Sequence, residues 1–131
     1  MKKFVLYADD DADDEAWINE AYEAVHPAFS ISFVKNGKEV LNYLQPLSEQ
    51  DLPSLIVLDL NMPELDGKQT LQKLKANPLY RQIPVAIVST SSNTIDQGVC
   101  QRLGAALFLV KPVSFHDWES VIHQLEPLAA F

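Results

Sequence analysis

Four apolar runs in the chain each end on one chemically active side chain. Phe4-Val5-Leu6-Tyr7-Ala8 meets Asp9-Asp10, Leu55-Ile56-Val57-Leu58 meets Asp59, Val85-Ala86-Ile87-Val88 meets Ser89, and Leu107-Phe108-Leu109-Val110 meets Lys111. Near-continuous apolar runs bounded by turn residues predict strands buried on both faces, which means a parallel sheet covered by helices. A fifth run, Phe29-Ser30-Ile31-Ser32-Phe33, alternates apolar and polar positions. That pattern predicts a strand with one wet side, at an edge of the sheet.

Helical spacing fills the gaps. Trp17, Ile18, Ala21, Tyr22 and Val25 predict a first helix, stopped by Pro27. Asn36-Gly37 predicts a turn, and Val40, Leu41 and Leu44 a short second helix. Pro46 to Pro53 reads as a polar connector, and Asn61 to Gly67 as a loop. Leu71 and Leu74 mark a third helix that stops near Asn77-Pro78, and Pro84 opens the next strand. Ser91-Ser92-Asn93 offers N-caps for a fourth helix whose apolar anchors are only Ile95, Val99 and Leu103. Gly98 lies inside that helix and weakens it, and Gly104 ends it. Phe115, Trp118, Val121, Ile122 and Leu125 give the last helix a strong apolar stripe.

The alternation is (βα)5, an α/β doubly wound, flavodoxin-like fold with an expected strand order of 2-1-3-4-5. At 131 residues, 47% of them apolar, the chain is expected to form one domain, 1–131, with a core of its own and no output domain. No run approaches a membrane span and the start is too short for a secretory signal, so the expected location is cytoplasmic. The net charge of −8 argues against nucleic-acid binding. A single cysteine, Cys100, excludes an internal disulfide and reads as core filler.

In a sheet of this kind ligands bind at the carboxyl ends of the strands, where strand order reverses. Asp9, Asp10 and Asp59 therefore share one rim with Ser89 and Lys111. Helix-dipole stabilisation accounts for Asp13, Asp14 and Glu15. It accounts less well for Asp9 and Asp10, which end a buried strand. Three crowded carboxylates repel one another unless a hard cation such as Mg2+ joins them. Asp59 is then a candidate nucleophile that forms an acyl phosphate. Asn61 can offer its backbone carbonyl to the metal. Ser89 can hydrogen-bond a phosphoryl oxygen, and Lys111 can add a fixed positive charge. The Lys111-Pro112 bond is a candidate for the cis form.

These residues resemble the response-regulator receiver domain of two-component signalling. The resemblance rests on Asp9-Asp10, Leu58-Asp59-Leu60-Asn61-Met62-Pro63, Asp66-Gly67, Pro84-Val85 through Ser89, Gly104-Ala105 and Lys111-Pro112, and covers essentially the whole chain. The long connector and the Asp-rich first helix are similar to the stand-alone receivers that partner cyanobacterial phytochromes. The resemblance implies phosphorylation of Asp59 by a sensor histidine kinase or phosphotransfer protein, with Mg2+ required. Asp10 and Asp59 would ligate the metal directly, Asp9 through water, and Asn61 through its carbonyl. Ser89 matches the hydroxyl that turns toward the phosphate, and Phe108 the aromatic switch position, often tyrosine in this family. Asn61 and Ser91 would tune phosphate lifetime.

The weakly anchored fourth helix is expected to move on phosphorylation, reshaping the face made by the fourth helix, fifth strand and fifth helix. With the tail Leu128-Ala129-Ala130-Phe131, that face is a candidate homodimer interface. The alternative is a tail packed onto the core. A phosphatase of the haloacid dehalogenase type would need a second Asp two residues after Asp59, where Asn61 stands. A flavodoxin would need a Ser/Thr/Gly-rich phosphate loop in place of the acidic one. A degenerate, binding-only receiver would lack the acidic pair or Lys111.

Overall fold

The computed structural model describes residues 3–130. Five parallel strands, β1 (Phe4–Ala8), β2 (Ser30–Val34), β3 (Leu55–Leu58), β4 (Val85–Ser89) and β5 (Leu107–Val110), form one sheet in the order β2-β1-β3-β4-β5. The helices are α1 (Ala12–Val25), α2 (Gly37–Leu44), α3 (Gly67–Ala76), α4 (Thr94–Leu103) and α5 (Phe115–Ala129). The expected architecture and strand order are both present.

Period-two geometry sends alternate strand residues to opposite faces, so the sheet carries two cores. Leu6, Ala8, Ile56, Leu58, Val85 and Ile87 pack with Val40, Leu44, Leu71, Leu74 and Cys100 of α2, α3 and α4. Val5, Tyr7, Leu55, Val57, Ala86 and Val88 pack with Ile18 and Ala21 of α1 and with Trp118, Val121, Ile122 and Leu125 of α5. The central strands β3 and β4 are buried throughout, whereas the edge strands β2 and β5 are largely half-buried.

Several details differ from the sequence expectations. Asn36-Gly37 is a helix start: the Asn36 side chain accepts from the Glu39 N–H, and Gly37 is the first residue of α2. The connector contains a short 3-10 helix, Glu49–Asp51. Ile95 does not anchor α4. It is 71% exposed, and Cys100 is the buried residue of that helix. The turn of about 100° per residue explains this, because Asp96, Val99, Cys100 and Leu103 share the inward face and Ile95 leaves it. Of the tail, Leu128 and Ala129 extend α5 and pack on the core, as in the second alternative. Phe131 lies outside the described residues.

Gly67 fixes how α3 approaches the sheet. A Cβ at this position would lie 2.3 Å from the Asp59 carbonyl oxygen. The Gly67 N–H donates to the Leu60 carbonyl at 3.0 Å, and Asp66 and Gln69 close a capping box around it.

Candidate functional site

The backbone ladder runs one residue past each strand and carries the candidate side chains with it. The Asp9 N–H donates to the Val34 carbonyl and the Asp59 N–H to the Ala8 carbonyl, both at 3.1 Å. The Lys111 N–H donates to the Ser89 carbonyl at 2.7 Å. Each Cα is thereby held by the sheet itself, so the side chains start from fixed points on one rim.

Asp9, Asp10 and Asp59 each place a carboxylate oxygen so that all three lie within 4.8 Å of one another. Asp9 and Asp59 are buried and Asp10 is exposed. The Lys111 ammonium sits among them, nearly buried, at 2.8 Å from Asp59 Oδ2 and 3.1 Å from Asp9 Oδ2. The Asp59 contact is a hydrogen bond. Asp9 Oδ2, by contrast, has charge proximity to the ammonium but no hydrogen-bond partner. The other Asp9 oxygen accepts from the Asp11 N–H at 2.9 Å. Asp59 Oδ1 accepts from the Asn61 N–H at 3.3 Å, which fixes the start of the loop.

Burial pushes the Asp9 carboxyl up from 3.8 to about 7, and the Asp59 charge adds to this, against the lowering pull of the Asp11 N–H and Lys111. Burial also acts against the Lys111 ammonium, but the hydrogen bonds it donates to Asp14 and Asp59 and the charges of Asp59 and Asp9 outweigh it and raise its pKa. Tyr7, fully buried beneath this rim, is raised by burial and then by Asp9, Asp14 and Asp59.

The donor set fits a hard divalent cation. It consists of oxygens only, one of them buried without a hydrogen-bond partner, and its crowded charges call for a neutralising ion.

Ser89 is buried at the end of β4, and its Oγ accepts from the Ser91 N–H at 3.3 Å. Ser91 Oγ in turn donates to Asp96 Oδ2 at 2.7 Å, and Asp96 Oδ1 pairs with Lys68 of α3 at 2.5 Å. Phe108 is half-buried beside a cleft of about 280 Å³ lined by Gln97, Gln101 and Ala105. Asn61 is exposed. The Lys111-Pro112 bond is not cis, and no cis bond occurs among the described residues. Lys111 is drawn inward by its carboxylate partners instead. A cleft of about 610 Å³ opens at the other end of the strands beside Phe4, Pro53 and Ile83 and holds none of these groups.

The residue that the sequence reading missed is Asp14, whose Oδ2 lies 2.6 Å from Lys111 Nζ. The signal was available: Asp14, Ile18 and Ala21 fall at i, i+4 and i+7, which puts a carboxylate on the buried stripe of α1. Glu15 instead turns to Lys35 at 3.3 Å.

The family model for the response regulator receiver domain matches residues 5–123. The chain belongs to the receiver domain family. This receiver is 28% identical over 127 residues to the response regulator Rcp1 of Synechocystis sp., covering 95% of this chain and 86% of that one. Its fold matches the crystal structure of the phosphorylated cyanobacterial phytochrome response regulator RcpA, with a TM-score of 0.87 and 27% identity. That match covers 99% of this chain and 95% of the other. The crystal structure of the Mn2+-bound form of Rcp1 matches with a TM-score of 0.82 and 28% identity, over 95% and 91% of the two chains. Receiver domains bind a divalent metal and work in two-component signalling, and this receiver carries the acidic cluster such a metal needs. No helix among the described residues is long and apolar enough to cross a membrane.

Proposed function

We propose that this receiver accepts a phosphoryl group on Asp59 from the phosphohistidine of a sensor histidine kinase or phosphotransfer protein, with Mg2+ as the metal. The observation that carries the reading is the buried Asp59 carboxylate, with one oxygen 2.8 Å from Lys111 and an oxygen in the Asp9-Asp10 cluster. Mg2+ held by Asp10, Asp59, the Asn61 carbonyl and, through water, Asp9 would offset charge on the transferring group.

The chain's own residues do the rest. An Asp59 oxygen attacks phosphorus in line as the bond from phosphorus to the histidine nitrogen breaks. The electron pair leaves with that nitrogen, which then takes a proton. Lys111 holds a positive charge over the phosphoryl oxygens, and the Ser89 hydroxyl donates to one of them once the group is in place. This draws on the loop after β4 that carries Ser91, and Phe108 turns toward the vacated space. The cleft between α4 and β5 supports that movement. Asn61 and Ser91 flank the pocket and set how long the phosphate lasts.

A protein donor is supported by the apolar surface beside the rim. Trp17 is 42% exposed with its ring centroid 5.7 Å from that of Phe115, and Val113 is fully exposed two residues after Lys111. Output passes through the α4-β5-α5 face to a protein partner or a second copy of the chain, in the cytoplasm, where ATP-fed kinases work. The net charge of −8 disfavours nucleic acid as the target.

Mass spectrometry after incubation with acetyl phosphate tests the reading. The expected result is a gain of one phosphoryl group that requires Mg2+ and is absent in Asp59→Asn. An unmodified wild-type chain that also fails to bind beryllofluoride would overturn it.

A further inference from the structure

Lys111 carries three N–H donors and faces three carboxylates. Two of these, Asp9 and Asp59, also belong to the acidic cluster, whose oxygens lie within 4.8 Å of one another. The third, Asp14, does not belong to it, yet makes the shortest contact of the three at 2.6 Å. Helix-dipole stabilisation explains an acidic residue in the first turn of α1, but any first-turn position would serve that purpose. It does not explain why Asp14 alone of Asp13, Asp14 and Glu15 turns inward to a nearly buried ammonium.

We propose that Asp14 is a positioning residue for phosphoryl transfer, a second counter-ion that keeps the Lys111 ammonium beside Asp59 when a cation takes up the Asp59 and Asp9 carboxylates. The proposal rests on the reading of Asp59 as phosphoacceptor. When a cation claims Asp9 and Asp59, Asp14 is the carboxylate that remains for the lysine. One ammonium donor stays on Asp14 through the whole cycle, while the donor now on Asp59 passes to a phosphoryl oxygen. Asp14 can act as a fixed post because its helix is fixed. Asp11 caps α1 by accepting from the Asp13 N–H at 2.9 Å, and Ile18 and Ala21 on the same stripe are buried against the sheet and α5. Without the Asp14 charge, the ammonium has only Asp9 and Asp59 to pair with in a site nearly closed to water. It would then compete with the cation for both.

Three readouts test this. Calorimetric titration with MgCl2 is made on wild type, Asp14→Asn, Lys111→Ala and the double variant. Groups in one ion-pair network couple, so Asp14→Asn is expected to weaken Mg2+ binding roughly fivefold when Lys111 is present and less than about twofold when it is absent. An equal loss in both backgrounds would show that Asp14 acts as a general negative charge, and no loss in either would show that it does not act; each overturns the proposal. The second readout needs no substitution. With 15N-labelled lysine, one slowly exchanging ammonium resonance is expected in the metal-free protein and again after Mg2+ and beryllofluoride are added. Its disappearance on addition would mean that the Asp14 bond does not persist, and the proposal fails. The saturating rate of phosphorylation by acetyl phosphate should fall in Asp14→Asn with the half-saturating donor concentration unchanged. If wild type takes up no phosphoryl group at all, the reading of Asp59 fails, while the Mg2+ and ammonium results still decide what Asp14 does.

Discussion

Helices α4 and α5 flank the same edge strand, β5, but are held in different ways. From α5, Trp118, Val121, Ile122, Leu125 and Ala129 are buried in the core shared with α1. From α4 only Cys100 is fully buried, and the helix start is tied down by polar contacts, Lys68 to Asp96 and Ser91 to Asp96. Apolar burial is non-directional and always present, whereas an exposed ion pair is weak and can be exchanged for another. The difference assigns the two helices different work. α5 fixes the rim on the side of Asp14 and Lys111, while α4 is held mainly by polar ties at its start.

The largest effect that separates them is on stability. Leu125→Ala should cost about 3 kcal/mol by leaving a cavity in the α1/α5 core, whereas Ile95→Ala on the exposed side of α4 should change stability by less than about 0.5 kcal/mol. Urea unfolding of the two variants checks this, and equal losses would break the comparison.

A second effect lies at the rim on the fixed side. The Asp9 carboxyl rises from 3.8 unfolded to about 7 folded, chiefly through burial. Between those values the folded chain holds a proton that the unfolded chain has lost. This contribution to stability is therefore full below the unfolded value and is lost as pH rises through about 7. The melting temperature of the metal-free protein should fall between about pH 5 and about pH 8, and fall less in Asp9→Asn. Equal slopes would place the strain elsewhere.

The smallest effect concerns the polar tie. Asp96→Ala should leave the folded state intact while amide exchange over 94–103 quickens a few-fold and α5 exchanges as before. If exchange over 94–103 does not change, the tie does not hold α4, and its apolar contacts are sufficient.

The fold was legible because four of the five strands are near-continuous apolar runs, and a run such as Leu55 to Leu58 cannot be placed anywhere but the middle of a covered sheet. The places of Asp9, Asp10, Asp59, Ser89 and Lys111 at the strand ends were legible for the same reason, since each lies at the end of such a run. Asp14 was harder to read, because an acidic residue in a first helical turn already has a local explanation. Only its spacing to Ile18 and Ala21 separates it from Asp13. Ile95 points the opposite way: an apolar residue in a sparse helix reads as an anchor, although the inward face runs through Asp96, Cys100 and Leu103. The bond before Pro112 depended on the local turn geometry, which the residue types alone do not determine.

Gly67 has no functional group, yet the carbonyl it crowds belongs to the residue that would carry the phosphate. Any side chain there must push either α3 or the Asp59 backbone out of place. In a genetic screen for lost signalling, replacements at Gly67 would be recovered together with those at Asp59. Such a screen would count as essential a position whose whole contribution is the space it leaves empty.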